Sequence, residues 1–443
     1  MTPNKPKIYP TIFKPMMKAM CKPTCESTCE PARKPAWKRA GVATAMAAYG
    51  FLASAVLASS AVVANAMMAS AVVLSQLATS PVAAAQAQDF AEFKKRNQQQ
   101  FSQFKQDQEK AFAEFVARWQ QAEANYIQQL REHWSDAKVS NKTQWVKYSD
   151  DQRQRTTVDY ETDTVTVEIL DDAGGSAQDT ESAVNEALRQ VRELGSTKLA
   201  TAVSQDPIHI SAGMNFSSVR SSAHMQGQSV LPAQFTEVNK QQAQVERRAD
   251  RTVVKVKLPP AAGNDRASRM LPLAKAYAAQ AGLSPALVMA IIHTESSFNP
   301  LARSPIPAFG LMQIVPTSAG RDITEYLHGE QQLLSADYLY DPDQNVQAGT
   351  IYLHLLNNRY FKGVRDPESR LYLAIAAYNT GPGNVSKAIA NSNKLADATR
   401  VANRMTAQQI YDRLMANLPA TETKNYLRKV TSRQKHYQEE FNL

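Results

Sequence analysis

The sequence predicts an α+β fold, in which a small α+β domain with one long helix precedes an all-α domain. Its 443 residues are two to three times the length of a typical domain, so we expect more than one domain. Apolar residues recur every 11 positions over 89–134, which indicates a helix. They alternate with polar residues over 155–170, which indicates strands, and from 266 onward they follow helical spacing.

Charge is distributed unevenly along the chain. Residues 1–39 carry a net charge of +7, and residues 40–88 contain no charged residue. The whole chain has a formal charge of +9, so the part after the apolar run is nearly neutral at +2. A basic stretch before an apolar run is typical of a signal for export, here to the periplasm. Since most of the positive charge lies in this leader, we predict no nucleic-acid partner.

The leader, residues 1–87, has two possible fates. Small residues suitable for cleavage occur at 64–66 and at 85–87, and we favour the second site because polar sequence starts at 88. Alternatively, residues 40–87 associate with the membrane as an uncleaved anchor, because about 20 apolar residues span a bilayer. The three cysteines, Cys21, Cys25 and Cys29, are spaced as metal ligands can be, but a fourth ligand is missing, so we predict no metal site. We also predict no cofactor.

Residues 88–260 are predicted to form the N-terminal domain. The phenylalanine stripe of its helix over 89–134 stays nearly straight, because 11 residues fill three helical turns. This helix either packs on its own domain or acts as a spacer or pairing helix. The elements predicted after it are a hairpin at 155–170, a loop at 171–179, a helix at 180–194 and a strand at 251–258. Residues 261–265 indicate a linker to the second domain, 261–443.

The segment 284–299 contains a candidate acid, Glu295. Ser284 is a good N-cap and Pro285 is a good first residue of a helix. Glu295 lies on the apolar face of that helix, three, four and seven positions after Ile292, Ile291 and Val288. Burial there disfavours the charged form, which predicts a raised pKa and suits a general acid near neutral pH. The alternative is a glutamate at a helix end that simply reaches solvent.

Two features near this helix bear on the chemistry. The sequence has no Asp or Glu between Ser296 and Arg321, although most glycosidases use two carboxylates that flank the bond. The segments 310–314 and 377–383 combine glycine with side chains that form hydrogen bonds, which can orient a sugar or stabilise developing charge. Helix capping is an alternative explanation for the second segment, so neither segment identifies a site by itself.

Together these segments resemble the lytic murein transglycosylases of the goose-lysozyme-like superfamily. The resemblance rests on Glu295-Ser296-Ser297-Phe298-Asn299-Pro300, Gly310-Leu311-Met312-Gln313 and Ala377-Tyr378-Asn379-x-Gly381, in this order. Glu422 and Tyr426 fit the family's final helix. Residues 148–150, the hairpin and the helix after it resemble the N-terminal domain of the membrane-bound C group of these enzymes. The resemblance covers about 89–438 and implies a lysozyme-like catalytic domain over 261–443.

The resemblance implies an activity in cell-wall turnover on peptidoglycan glycan strands. It implies cleavage, without water, of the β-1,4 bond between N-acetylmuramic acid and N-acetylglucosamine, leaving a 1,6-anhydro-muramic end. One carboxyl group, Glu295, acts first as the acid and then as the base, which fits a site with a single carboxylate. The resemblance also implies substrate contacts: Met312 and Gln313 line the groove, and Tyr378 and Asn379 stabilise the sugar. It implies two supporting roles as well. Ser296 orients Glu295, and Glu422 supports Tyr378.

The sequence departs from the family pattern at two points. Members of the C group are typically lipoproteins with a cysteine just after the signal, but no cysteine follows Cys29, so we expect no lipid anchor there. Val315 follows the 310–314 segment where goose-type lysozymes tend to have an acidic residue, which favours the lyase. The alternatives that stay open are a muramidase that adds water and a peptidoglycan-binding scaffold without catalysis.

We expect the N-terminal half to modulate and not to catalyse. Its histidines, at 133, 209 and 224, are scattered, and they form no convergent set with an acid, a base or a metal ligand. A chain that begins near Asn264 is therefore expected to keep activity on soluble glycan.

Overall fold

The computed structural model describes residues 81–171, 180–259 and 261–443. The chain divides into two compact units, Met1–Phe93 and Lys94–Leu443. Most of the predicted leader, with its cysteines and the cleavage site at 64–66, lies outside the described residues, as does nearly all of the predicted loop at 171–179. All the candidate site residues belong to the second unit.

The first described element is α1 (Pro81–Leu130), a helix of 50 residues. It confirms the predicted helix at 89–134, although it begins eight residues earlier and ends four residues earlier. Towards its C-terminal end, two aromatic side chains lie against Phe309. The ring centroid of Phe115 is 6.4 Å from that of Phe309, and the ring centroid of Trp119 is 5.4 Å from it. Phe101 and Phe104, earlier in the same stripe, are exposed. This end of the helix therefore packs against Phe309 of the 261–443 half, and Trp119 also lies 5.5 Å from the ring of His209 within its own domain. A spacer or pairing role for the other end stays a prediction.

Five antiparallel strands form one sheet in the order β1-β2-β3-β5-β4. They are β1 (Gln144–Tyr148), β2 (Gln154–Asp159), β3 (Thr164–Leu170), β4 (Ala243–Arg247) and β5 (Arg251–Lys257). The predicted hairpin and the predicted last strand are confirmed as β2, β3 and β5. The sequence misses β1 and β4, which form the two edges. Edge strands are short and have one free side, so their apolar pattern is weak, and β4 is almost wholly exposed.

Helices fill the chain between β3 and β4. The predicted helix at 180–194 is confirmed as α2 (Thr180–Ser196), whose apolar side is buried. Four shorter helices follow in a region with only weak sequence patterning: α3 (Leu199–Ser204), α4 (Pro207–Ser211), α5 (Ser217–Ser221) and α6 (Ala223–Gly227). A helix of five or six residues presents too few apolar positions for its period to be recognised.

From 261 onward the elements are all helical. They are α7 (Ala261–Ala281), α8 (Pro285–Ser296), α9 (Ala319–His328), α10 (Ala336–Tyr340), α11 (Pro342–Leu355) with a π turn (Leu356–Tyr360), α12 (Pro367–Thr380), α13 (Pro382–Ala390), α14 (Leu395–Ala402), α15 (Ala407–Asn417) and α16 (Thr421–Glu440). The prediction of a linker at 261–265 is wrong, because these residues are the first turn of α7. Alanine favours helix, and Ala262 is buried there.

Helix α8 lies in the centre of the helical part. It packs against α7 on one side and against α16 on another. All of its residues from 286 to 292 are buried, so it is apolar around its whole circumference. This packing fixes the position of the last turn of α8, where Glu295 lies.

Candidate active site

Glu295 lies at a helix end whose backbone is strained. Helix α8 ends at Ser296, and the next two residues, Ser297 and Phe298, have φ angles of 51° and 62°. Residues other than glycine adopt this left-handed region at a cost that the surrounding packing must offset. The ring of Phe298 lies 5.3 Å from that of His293 on α8. The packing therefore fixes the direction of the chain just after the candidate acid.

The carboxyl group of Glu295 is buried, with only 5% of the residue exposed. Burial raises its pKa to about 7, and the charge of Lys142 and the hydroxyl of Tyr426 oppose part of this rise. The buried Tyr426 hydroxyl has no partner of normal hydrogen-bond geometry in the described parts of the chain. These observations confirm the predicted burial and raised pKa of Glu295, and they rule out the solvent-exposed alternative.

Lys142, from the N-terminal region, faces Glu295. Its Nζ lies 3.7 Å from Oε2 of Glu295 and 3.9 Å from Oε1 of Glu422. The sequence gives no signal for this contact, because Lys142 lies in a short polar segment far from Glu295 along the chain. The N-terminal half therefore supplies a cation next to the candidate acid, and the expectation that this half modulates and does not catalyse stays a prediction.

A tight turn at 310–313 faces the end of α8. Gly310 has a φ of 73°, and a Cβ atom there would lie 2.3 Å from the carbonyl oxygen of Leu339, so only glycine fits. The side chain of Asn345 holds the turn. It accepts a hydrogen bond from the N–H of Met312 at 2.7 Å and donates to the carbonyl oxygen of Phe309 at 2.8 Å. Asn345 is fully buried, and the sequence analysis misses it.

Met312 and Gln313 occupy this turn, where the sequence predicts groove-lining residues. The Met312 side chain is fully buried against Gly349, where a Cβ atom would lie 2.4 Å from its sulfur. It therefore supports the turn and does not line a groove. Gln313 donates from Nε2 to the carbonyl oxygen of Gly310 at 3.1 Å. Its buried Oε1 has no hydrogen-bond partner among the residues the structure describes.

Tyr378 and Asn379 lie in the last turn of α12 and are half-buried. The Tyr378 hydroxyl donates to the carbonyl oxygen of Met312 at 3.0 Å. Burial raises the pKa of this phenol well above its usual value, and the nearby Glu295 raises it further. Asn379 accepts a hydrogen bond from the Thr423 hydroxyl at 2.7 Å, which ties α12 to α16. The structure thus brings Tyr378 and the 310–313 turn together beside Glu295.

Ser296 and Glu422 differ from their expected roles. The Ser296 hydroxyl is fully buried and donates to the carbonyl oxygen of Leu311 at 2.8 Å. It therefore ties α8 to the 310–313 turn, and its burial prevents direct contact with a sugar. Glu422 is exposed and pairs with Lys142, whereas Tyr378 was the partner expected for it.

A cavity of about 290 Å³ near the end of α8 does not coincide with this cluster. Its lining includes Arg266, Phe298 and Leu311, but neither Glu295 nor Lys142. The histidines of the N-terminal half also lie elsewhere. His133 and His224 are exposed, and buried His209 is hydrogen-bonded to the carbonyl oxygen of Val203 and to the Tyr340 hydroxyl. The reactive groups are therefore those around Glu295.

Two family models match the chain. The transglycosylase SLT domain matches residues 272–401, and the N-terminal domain of membrane-bound lytic murein transglycosylase C matches 94–197. Membrane-bound lytic murein transglycosylase C of Pectobacterium atrosepticum is 31% identical over 308 residues, which cover 68% of this chain and 85% of that protein. The protein of the same name from Actinobacillus succinogenes is 42% identical over 174 residues, which cover 39% of this chain and 48% of that protein.

One solved structure, the 70 kDa soluble lytic transglycosylase of Escherichia coli, matches with 26% identity and a TM-score of 0.31. The match covers 41% of this chain and a quarter of that longer protein. In residues 81–171, 180–259 and 261–443, no helix has the length and apolar character needed to cross a bilayer. The two family models and the match to the Pectobacterium protein cover both halves that meet at Glu295. The chain belongs to the membrane-bound lytic murein transglycosylase C family and is a lytic transglycosylase of peptidoglycan.

Proposed function

We propose that the chain cleaves the β-1,4 bond between N-acetylmuramic acid and N-acetylglucosamine without water and leaves 1,6-anhydro-muramic ends. The observation that carries this proposal is the buried Glu295, whose pKa of about 7 allows it to give and take a proton. The carboxylate that faces it, Glu422, is 76% exposed and paired with Lys142. A single acid–base group suits a reaction in which the nucleophile is part of the substrate.

The reaction then follows two steps at one carboxyl group. Protonated Glu295 donates its proton to the glycosidic oxygen as the bond from that oxygen to C1 of the muramic sugar breaks. The resulting carboxylate accepts the proton of the muramic 6-hydroxyl as O6 forms a bond to C1. Glu295 ends the cycle protonated, so no second carboxylate is needed to activate water.

We assign the neighbouring groups to holding the sugar and the acid. Tyr378 and Asn379 stabilise the reacting sugar, and Gln313 lines the groove beside them. Ser296 positions the turn that carries Gln313, through its hydrogen bond to Leu311.

We also propose the organisation of the chain around this site. Residues 1–87 are a leader that exports the protein to the periplasm, and 40–87 associate with the membrane where the leader stays uncleaved. Residues 88–260 form the N-terminal domain and 261–443 the catalytic domain. The charge pattern supports the first assignment, and the separate family matches at 94–197 and 272–401 support the second.

Glu295→Gln tests the function. We expect murein cleavage to fall by at least about 100-fold, because the amide cannot donate the proton, while murein binding stays within a few fold. Mass spectrometry of the products of the unaltered protein is expected to show anhydro-muramic ends. The control is Glu368→Gln, the same change at an exposed position on α12, which should keep full activity. Retained turnover in Glu295→Gln would falsify the acid assignment, and products with reducing ends would favour a muramidase.

A further inference from the structure

We propose that Lys142 is a positioning residue for the reaction, which holds Glu295 in place and stabilises the carboxylate formed after proton donation. The inference rests on the proposed function, because it acts through Glu295. It gives the N-terminal region a direct part in the chemistry of the catalytic helix α8.

The geometry places Lys142 between two carboxyl groups of different burial. Its Nζ is 3.7 Å from Oε2 of buried Glu295 and 3.9 Å from Oε1 of exposed Glu422. Both distances exceed a normal hydrogen bond, so the interaction is one of charge at short range. About 40% of the Lys142 side chain is exposed, so the ammonium group keeps partial access to water while it faces the buried site.

The backbone that carries Lys142 is anchored to the catalytic half. The side-chain amide of Asn299 donates to the carbonyl oxygen of Lys142 at 3.2 Å. Arg303 donates from its backbone N–H to Asn141 at 3.4 Å and from Nε to the carbonyl oxygen of Ser140 at 3.2 Å. Arg303 is itself buried and paired with both carboxylate oxygens of Asp206. Lys142 therefore lies on a segment whose backbone is held by hydrogen bonds to the catalytic half, and not on a free loop.

The charges around Glu295 give Lys142 its effect. Burial raises the pKa of Glu295, Glu422 raises it further, and Lys142 and Tyr426 lower it. Tyr378 is a further titratable neighbour, because Glu295 raises the pKa of its phenol, and Arg266 on α7 lowers the pKa of His293 on α8. Removal of Lys142 therefore raises the pKa of Glu295. The acid then stays protonated to higher pH, but its carboxylate form, which must act as the base, becomes less stable.

The test is the pH profile of the full chain on soluble glycan oligomers. We expect Lys142→Met to move the alkaline limb of kcat/KM upward by about one pH unit and to lower kcat at pH 7. Lys142→Arg should restore the original limb because it keeps the charge. Lys147→Met removes a charge from an exposed position on β1 and serves as the matched control, with no shift expected.

Glu422→Gln is expected to shift the alkaline limb of the pH profile in the opposite direction. It removes a negative charge near Glu295 and frees Lys142, so the alkaline limb should move to lower pH. An unchanged pH profile in both Lys142→Met and Glu422→Gln, or a higher KM alone, would overturn the role proposed for Lys142. Glu295→Gln in the same assay separates the two proposals: if it is inactive while Lys142→Met keeps the parent profile, only the inference about Lys142 fails.

Discussion

Glu295 combines burial with one neighbouring cation, and the balance between them sets its chemistry. The apolar surroundings favour the neutral acid, and Lys142 keeps the ionised form accessible. An acid that must also act as a base within one turnover works best when its pKa lies near the working pH. In the proposed mechanism Glu295 donates a proton in the first step, so we expect activity to fall as pH rises above about 7.

The same burial predicts that Glu295→Gln stabilises the protein at alkaline pH. The folded-state pKa of about 7 lies above the ordinary value of 4.5, so Glu295 favours the folded state below pH 4.5, and this contribution is lost as pH rises through 7. Above pH 7 the buried carboxylate costs on the order of 3 kcal/mol, which a neutral amide avoids. Urea unfolding at pH 4 and pH 9 measures the effect, with Glu368→Gln as the control. An equal difference between Glu295→Gln and the parent at both pH values would contradict it.

A residue of the site could be predicted from the sequence where its neighbours along the chain were enough to indicate it. Glu295 follows from its spacing on α8, and Tyr378 and Gln313 from the motifs that carry them. Asn345 and Lys142 were not predictable, because each acts through groups that are far away along the chain. A buried asparagine on α11 has no distinguishing pattern until its partners at 309 and 312 are known.

Long, buried helices and strands were easier to predict from the sequence than short or exposed ones. Helices with several turns, such as α2 and α16, repeat their apolar face often enough to be recognised. The short α10 and the edge strands β1 and β4 do not. At 261–265 a Gly-Asn-Asp sequence suggests a linker, but helix α7 starts there because packing against the core outweighs the weak helix propensity of these residues.

Helix α1 allows a matched comparison within its 11-residue repeat. Phe104 and Phe115 occupy equivalent positions, but Phe104 is exposed and Phe115 packs against Phe309. We expect Phe115→Ala to lower the free energy of unfolding by about 1–3 kcal/mol, because it removes buried apolar area. Phe104→Ala should change it by less than about 0.5 kcal/mol. Chemical denaturation of both variants measures this, and equal effects would show that the helix is not anchored through Phe115.

At the scale of the whole molecule, both halves of Lys94–Leu443 form one compact unit. Buried Arg303 joins them: it pairs with Asp206, and its guanidinium lies 5.6 Å from the ring of Trp119 on α1. The sequence predicts two domains because the spacing of its apolar residues changes from mixed strand and helix spacing to helical spacing near 261. It could not predict this join, because a single buried arginine gives no signal in composition or periodicity.

This join changes the expectation for a chain that begins at Asn264. Without the N-terminal half, buried Phe309 loses Trp119, Arg303 loses Asp206, and Glu295 loses Lys142. We therefore expect a lower melting temperature and at least about tenfold lower activity on soluble glycan. A chain that begins at Lys94 keeps the compact unit and should match the full protein. Thermal unfolding and a cleavage assay distinguish the outcomes, and parent-like activity from the shorter chain would contradict the expectation.

The contact between Lys142 and Glu295 also has a consequence for evolution. The two residues lie in regions that match separate family models, so recombination could transfer the helices of the catalytic half alone. Such a transfer would carry the acid into a new protein without its cation. The recipient would inherit the shape of the site but a different acidity, and a new donor of positive charge would have to evolve near the end of α8. To keep the acidity of Glu295 unchanged, both regions would have to be transferred together.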